Sequence, residues 1–168
     1  MSSIVTLSGA VAGALLLLTA GILHVRAPRE FRAALAGHRI LPFRWQRTTA
    51  RLLPAVEIIV GAVALTTIVT GLPGATPALA ALCFVYATFT AYSYLLLRRG
   101  NAAACGCFGG REPVTLATVL RNALLAVTAA GSLIPAVTTP TGPALALTLA
   151  VGLVVAVLGW MWPALFRP

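Results

Sequence analysis

Residues 4–25 read IVTLSGAVAGALLLLTAGILHV, without one carboxylate, lysine or arginine. The run meets the ~20 apolar residues that a helix needs to cross the hydrocarbon of a bilayer. It is longer than the ~7–15-residue apolar core of a secretory signal, and no arginine precedes it, so it is expected to stay attached as a helix. Gly9 and Gly13 stand one turn apart within it, a spacing that lets a second helix approach closely.

Four more stretches of similar character follow: Leu52 to Thr70, Pro77 to Leu97, Pro113 to Ala136 and Pro143 to Phe166. Gly71-Leu72-Pro73-Gly74 separates the second span from the third, and Thr139-Pro140-Thr141-Gly142-Pro143 separates the fourth from the fifth, both as uncharged turns. The pattern predicts an all-α fold, a polytopic transmembrane helical bundle. Residues 1–136 form a four-helix membrane domain with a basic interfacial segment at 26–51, and residues 137–168 add a C-terminal transmembrane helix. Composition agrees, since the 168 residues are 60% hydrophobic and 9% charged with a mean hydropathy of +0.97, far from the roughly 25% charge of soluble domains.

All twelve basic residues are arginine, opposed by Glu30, Glu57 and Glu112, for a formal charge of +9. Seven lie between the first two spans, from Arg26 to Arg51. Arg98, Arg99, Arg111 and Arg121 surround the connection between spans three and four, and Arg167 follows the last. On an up-and-down bundle they share one face. The positive-inside rule makes that face cytoplasmic, with the N-terminus outside and the C-terminus inside a multi-pass plasma-membrane protein. The basicity marks loops at an anionic leaflet and not contact with nucleic acid, because no polar domain accompanies it. Phe31, Leu35 and His38 recur at helical spacing among arginines and predict a short interfacial helix over Pro28 to Ile40. Trp160 and Trp162 fit an interfacial aromatic belt.

The most unusual local sequence is Cys105-Gly106-Cys107-Phe108-Gly109-Gly110, between spans three and four. Two cysteines around one glycine can bring their Cα atoms within the ~4.4–6.8 Å over which disulfides form, because glycine permits backbone angles that a side chain forbids. Neighbouring arginines and the start of a helix favour thiolate over thiol. The same thiolates with His24 would also suit a soft metal, Cu(I) or zinc, and a plain glycine turn with two small residues is the third reading.

Three further residues map to the arginine-rich side. Glu57 lies six residues beyond Arg51, roughly 9 Å along a helix, where a carboxylate needs a partner inside the bundle. Arg121, next to Asn122, is the expected partner, in a pair that either sets helix register or takes part in chemistry. His24 ends the first helix, either solvated there or passing protons to a thiol. A single site would unite Cys105, Cys107, His24, Glu57 and Arg121. Cys83 lies about 20 Å from that face and reads as a packing residue. Tyr86, Tyr92 and Tyr94 read equally well as packing residues or as the lining of a cavity.

Several of these features resemble, in order, the methylamine utilisation protein MauE family within the wider DoxX-like membrane proteins. They are Ala20-Gly21-Ile22-Leu23-His24, the Leu41-Pro42 step, Pro54-Ala55-Val56-Glu57 with Gly61, Cys105-Gly106-Cys107-Phe108-Gly109, and Arg121-Asn122. The likeness covers roughly residues 4–136, with the cysteine loop as its most specific part. It implies a four-helix DoxX-like core and a redox-associated membrane protein that works with a thioredoxin-like partner. Such a protein supports disulfide formation during maturation of methylamine dehydrogenase, a client that folds outside the cytoplasm. The expected function is therefore thiol-disulfide exchange through a redox-active Cys105–Cys107 disulfide, with His24, Glu57 and Arg121 tuning the thiolates and a quinone as a candidate electron carrier. A soft-metal-handling protein and a non-catalytic membrane assembly factor are the alternatives.

Overall fold

The computed structural model describes residues 2–71, 75–100, 114–134 and 140–165. The described residues form helices and connections without strands: α1 (Ser2–Arg26), α2 (Pro28–His38), α3 (Phe43–Thr70), α4 (Ala75–Arg98), α5 (Leu116–Gly131) and α6 (Pro143–Leu165). In α1, α3, α4 and α6 they include four helices long and apolar enough to cross a membrane. The 16-residue α5 occupies the middle of the fourth expected span, and the described residues extend only a little beyond it on either side.

The axis of the bundle is α1. Every residue from 7 to 14 is buried, which is more than two full turns covered on all sides. Small residues make that enclosure sterically feasible, because glycine and alanine let neighbouring backbones approach. A Cβ on Gly9 would lie 2.5 Å from Thr128 of α5, one on Gly61 of α3 would lie 2.8 Å from the Ala14 carbonyl, and one on Gly152 of α6 would lie 2.5 Å from Val11. The fourth neighbour, α4, meets α1 through Tyr86, whose hydroxyl donates to the Gly13 carbonyl at 2.7 Å. The expected close packing at Gly9 and Gly13 is thus realised against two different helices.

The basic segment between the first two spans is helical for most of its length. Pro28 starts α2 in the first turn, where its missing N–H does no harm. Arg39 ends it in the left-handed conformation, φ 52°. α3 begins at Phe43, well before the expected Leu52, so Arg44, Arg47 and Arg51 ride on a helical extension of the span. Arginine is a good helix former, and Phe31 and Leu35 of α2 cover Ala50 of α3 in a small cluster of their own. α2 therefore lies against the end of the bundle with Phe31, Leu35 and His38 buried, the three residues whose spacing marks its apolar face.

Consecutive long helices alternate in direction. The C-terminal end of α1 and of α4 thereby meets the N-terminal half of α3 and of α5, respectively. The contacts His24 to Glu57, Ser93 to Asn122 and Arg121 to Gly159 all lie at that shared end. It is the end that carries Arg26, Arg51, Arg98 and Arg121, as the one-sided arginine distribution predicts.

Candidate functional site

At the arginine-rich end the helices enclose a cavity of about 260 Å³. Its walls are largely apolar, with Leu17, Ala20, Leu35, Phe89 and Leu96 among them, and α2 lines it with Phe31, Leu35 and His38. Seven of the polar side chains on its lining fall into three groups, each of which ties two or more helices together.

The first group joins α1 to α3. His24 is 5% exposed and Glu57 1%, and His24 Nδ1 and Glu57 Oε2 share a hydrogen bond of 2.7 Å. Gly21 explains the approach: a Cβ there would lie 2.9 Å from the Pro54 carbonyl and 3.1 Å from Glu57 Cβ. Three residues along the same face of α1, His24 meets the carboxylate that this close packing delivers. The imidazole stacks on Phe31 of α2, with centroids 3.9 Å apart and planes 15° from parallel. A carboxylate that holds one ring nitrogen orients the other and lets a proton pass along the bond.

The second group joins α2 to α4, where His38 Nδ1 and the Tyr92 hydroxyl share a hydrogen bond of 2.8 Å. His38 is 2% exposed, so α2 buries one imidazole in its apolar stripe and covers a second, His24, with its phenylalanine. The third group runs across α6, α5 and α4. The Arg121 guanidinium donates to the Gly159 carbonyl at 3.2 Å and to Asn122 Oδ1 at 3.4 Å, and the Asn122 amide donates to Ser93 Oγ at 3.3 Å. Thr115 sets the start of α5 by accepting the Thr118 N–H on its side chain, and Arg121 and Asn122 follow in the second turn.

Of the residues singled out by sequence, His24, Glu57 and Arg121 all line this cavity. The expected Glu57 to Arg121 pair is corrected: the carboxylate bonds His24. Six residues from Arg51 fixes how deep Glu57 sits, but not which neighbouring helix it faces; the Gly21 contact decides that. Cys105 and Cys107 lie outside the described residues. Cys83 is half-buried against the core. The three tyrosines divide: Tyr86 and Tyr92 line the cavity, while Tyr94 is 47% exposed beside Arg98.

Sequence reasoning does not assign His38 or Ser93 to the site, and it leaves Tyr92 between packing and cavity lining. The available signal is a histidine on the apolar stripe of an interfacial helix, where a polar side chain needs a buried partner. Among the described residues no three His, Cys, Asp or Glu side chains converge as a metal site.

Residues 1–135 match the family model for methylamine utilisation protein MauE. The chain is also similar to the methylamine utilization protein MauE of Paracoccus denitrificans, 38% identical over 114 residues. That alignment covers 67% of this chain and 59% of the relative, so the chain spans about three fifths of the length of the curated protein it matches. No solved structure matches the chain.

Proposed function

This chain belongs to the methylamine utilisation protein MauE family, and from that membership we propose that it serves methylamine utilisation as an integral membrane thiol-disulfide redox protein. Cys105 and Cys107 are its working groups. A thiolate of a thioredoxin-like partner attacks their disulfide, forms a mixed disulfide and releases the other cysteine as thiolate. The partner's second thiolate then attacks the partner's own sulfur in the mixed disulfide and displaces this chain's bonded cysteine as thiolate; the partner leaves with a disulfide, and the Cys105–Cys107 pair takes up protons as a dithiol.

The observation that supports this reading is the polar cluster at the arginine-rich end. The segment that carries both cysteines is tethered there, between the C-terminal end of α4 and the N-terminal end of α5. Those ends present Ser93, Arg121 and Asn122 to the cavity, beside the His24–Glu57 pair. A buried histidine-carboxylate pair can accept and return the protons that thiols lose and regain, and arginine favours the thiolate.

Single Cys105→Ser and Cys107→Ser variants test the exchange. One of them is expected to hold a thioredoxin-like protein in a mixed disulfide that survives denaturation and disappears on reduction. Two cysteines that stay alkylatable at every redox poise, with no trapped partner from either variant, would overturn the reading. Full function in the double serine variant would leave a non-catalytic assembly role. About one Cu(I) or zinc per purified chain, lost on either serine substitution, would replace exchange with metal handling. The arginine distribution further supports a cytoplasmic position for this end of the bundle. Protection of Cys107 from an impermeant thiol reagent in intact cells is the expected result, and labelling from outside would invert the orientation.

A further inference from the structure

A second hollow lies outside the cavity, where the end of α1, the start of α2 and the basic half of α3 meet. Val25, Pro28, Arg51, Ala55, Ile58 and Ile59 line it. Its floor is set where Gly21 lets α1 and α3 close, since a Cβ there would lie 2.7 Å from Ile58. Val25 is 58% exposed and Ile59 60%, so the hollow opens outward from the bundle.

Its two ends differ in chemistry. Arg51 stands at the end nearer the basic face, and Ala55, Ile58 and Ile59 follow on the same side of α3 over the next two turns. Eight residues separate Arg51 from Ile59, roughly 12 Å along a helix, which is most of one leaflet's half of the ~30 Å hydrocarbon. More positive charge gathers at the basic rim. Arg47 precedes Arg51 by one turn of α3, Arg26 follows Val25 and Arg29 follows Pro28, all of them exposed. Among the described residues no carboxylate lies within ion-pair distance of any of these four arginines, Glu30 of α2 included.

These features select an occupant. Inorganic phosphate would satisfy the arginines and leave the isoleucines uncovered. A zwitterionic lipid would cover the isoleucines but bring its own cation among the arginines. A phospholipid of net negative charge fits both ends, because its phosphate accepts from guanidinium while its chain lies along α3.

We propose that this hollow binds one anionic glycerophospholipid, with the phosphate on Arg51 at the basic rim and an acyl chain along Ala55, Ile58 and Ile59. His24 lines both the hollow and the cavity, so the bound chain closes the outer side of the wall that holds the His24–Glu57 pair. Lipid binding here is independent of the cysteine chemistry.

The test uses the full-length chain in phosphatidylcholine nanodiscs that contain a trace of phosphatidylglycerol with a diazirine on one acyl chain. Photolysis is expected to give saturable cross-links on Val25 to Pro28 and on Ala55 to Ile59. Unlabelled phosphatidylglycerol should compete, whereas added phosphatidylcholine or inorganic phosphate should not. Arg51→Gln is expected to weaken the labelling about fivefold, the worth of one arginine at an anionic surface. Arg98→Gln removes an arginine from the same end of the bundle, one that donates to the Tyr94 hydroxyl, and should leave the labelling unchanged. Ala55→Phe fills the hollow from α3 with every arginine kept, and should abolish the labelling on α1 and α3. Cross-links spread evenly over the outer faces of α3, α4 and α6, equal losses from Arg51→Gln and Arg98→Gln, labelling that survives Ala55→Phe, or competition by phosphatidylcholine or by phosphate would each overturn the proposal.

Discussion

α1 and α6 are both long, uncharged across the membrane and rich in leucine, valine and alanine, yet they hold opposite places. α1 is buried on every side from residue 7 to 14 and carries His24 into the cavity. α6 buries one narrow stripe, Thr148, Gly152 and Ala156, with Gly159 half-buried beyond it, and turns Val154, Val157 and Leu158 outward. Lipid is as apolar as leucine, so hydropathy alone does not decide which helix goes to the centre. Backbone proximity does: α1 turns Gly9, Gly13 and Gly21 toward three different helices, whereas Gly152 and Gly159 of α6 both face α1. The central helix reaches every neighbour, which is why its end collects groups from several helices into one site.

Substitutions at the two places put that contrast at risk, in descending order of effect. Glu57→Leu removes the partner of a buried imidazole at the end of α1 and is expected to cost about 3 kcal/mol. Denaturation of the protein in mixed micelles measures it, and a loss near zero would mean that His24 does not depend on the pair. Gly152→Leu drives a side chain into Val11 and the Ser8 carbonyl, with an expected cost of about 2 kcal/mol by the same assay. Tyr92→Phe deletes the hydroxyl bonded to His38 and is expected to cost about 1 kcal/mol. It should also speed proteolysis within α2, whose covering position that bond helps to hold. Val154→Leu, two residues from Gly152 but facing outward, is expected to change stability by less than about 0.5 kcal/mol. If Val154→Leu proves as damaging as Gly152→Leu, the outer face of α6 is not a lipid face and the contrast between rim and centre fails.

Much of this molecule is legible in its residues alone. Glycine and proline between long apolar runs mark the spans, and α2 is visible because Phe31, Leu35 and His38 recur at helical spacing. Arg26 to Arg51 reveals which end of the bundle is basic. Where the second span begins is harder to read, because arginine both follows hydrocarbon and continues a helix, as it does at the start of α3. His24, Glu57 and Arg121 are recognisable as a set by depth alone. Their pairing is not, since depth along a helix leaves its rotation open, and Gly21 rotates Glu57 toward α1.

The chain's residues by themselves therefore determined that it is helical, that it belongs in a membrane and that its polar groups gather at one basic end. Each of these follows from hydrogen-bond satisfaction in hydrocarbon and from the cost of placing charge there. Only the tertiary structure decided that α1 is the axis, that Glu57 answers to His24, and that His38 and Tyr92 face the same cavity. Those outcomes depend on side-chain volumes across helix contacts between residues distant in sequence, such as Gly61 with Ala14 and Gly152 with Val11.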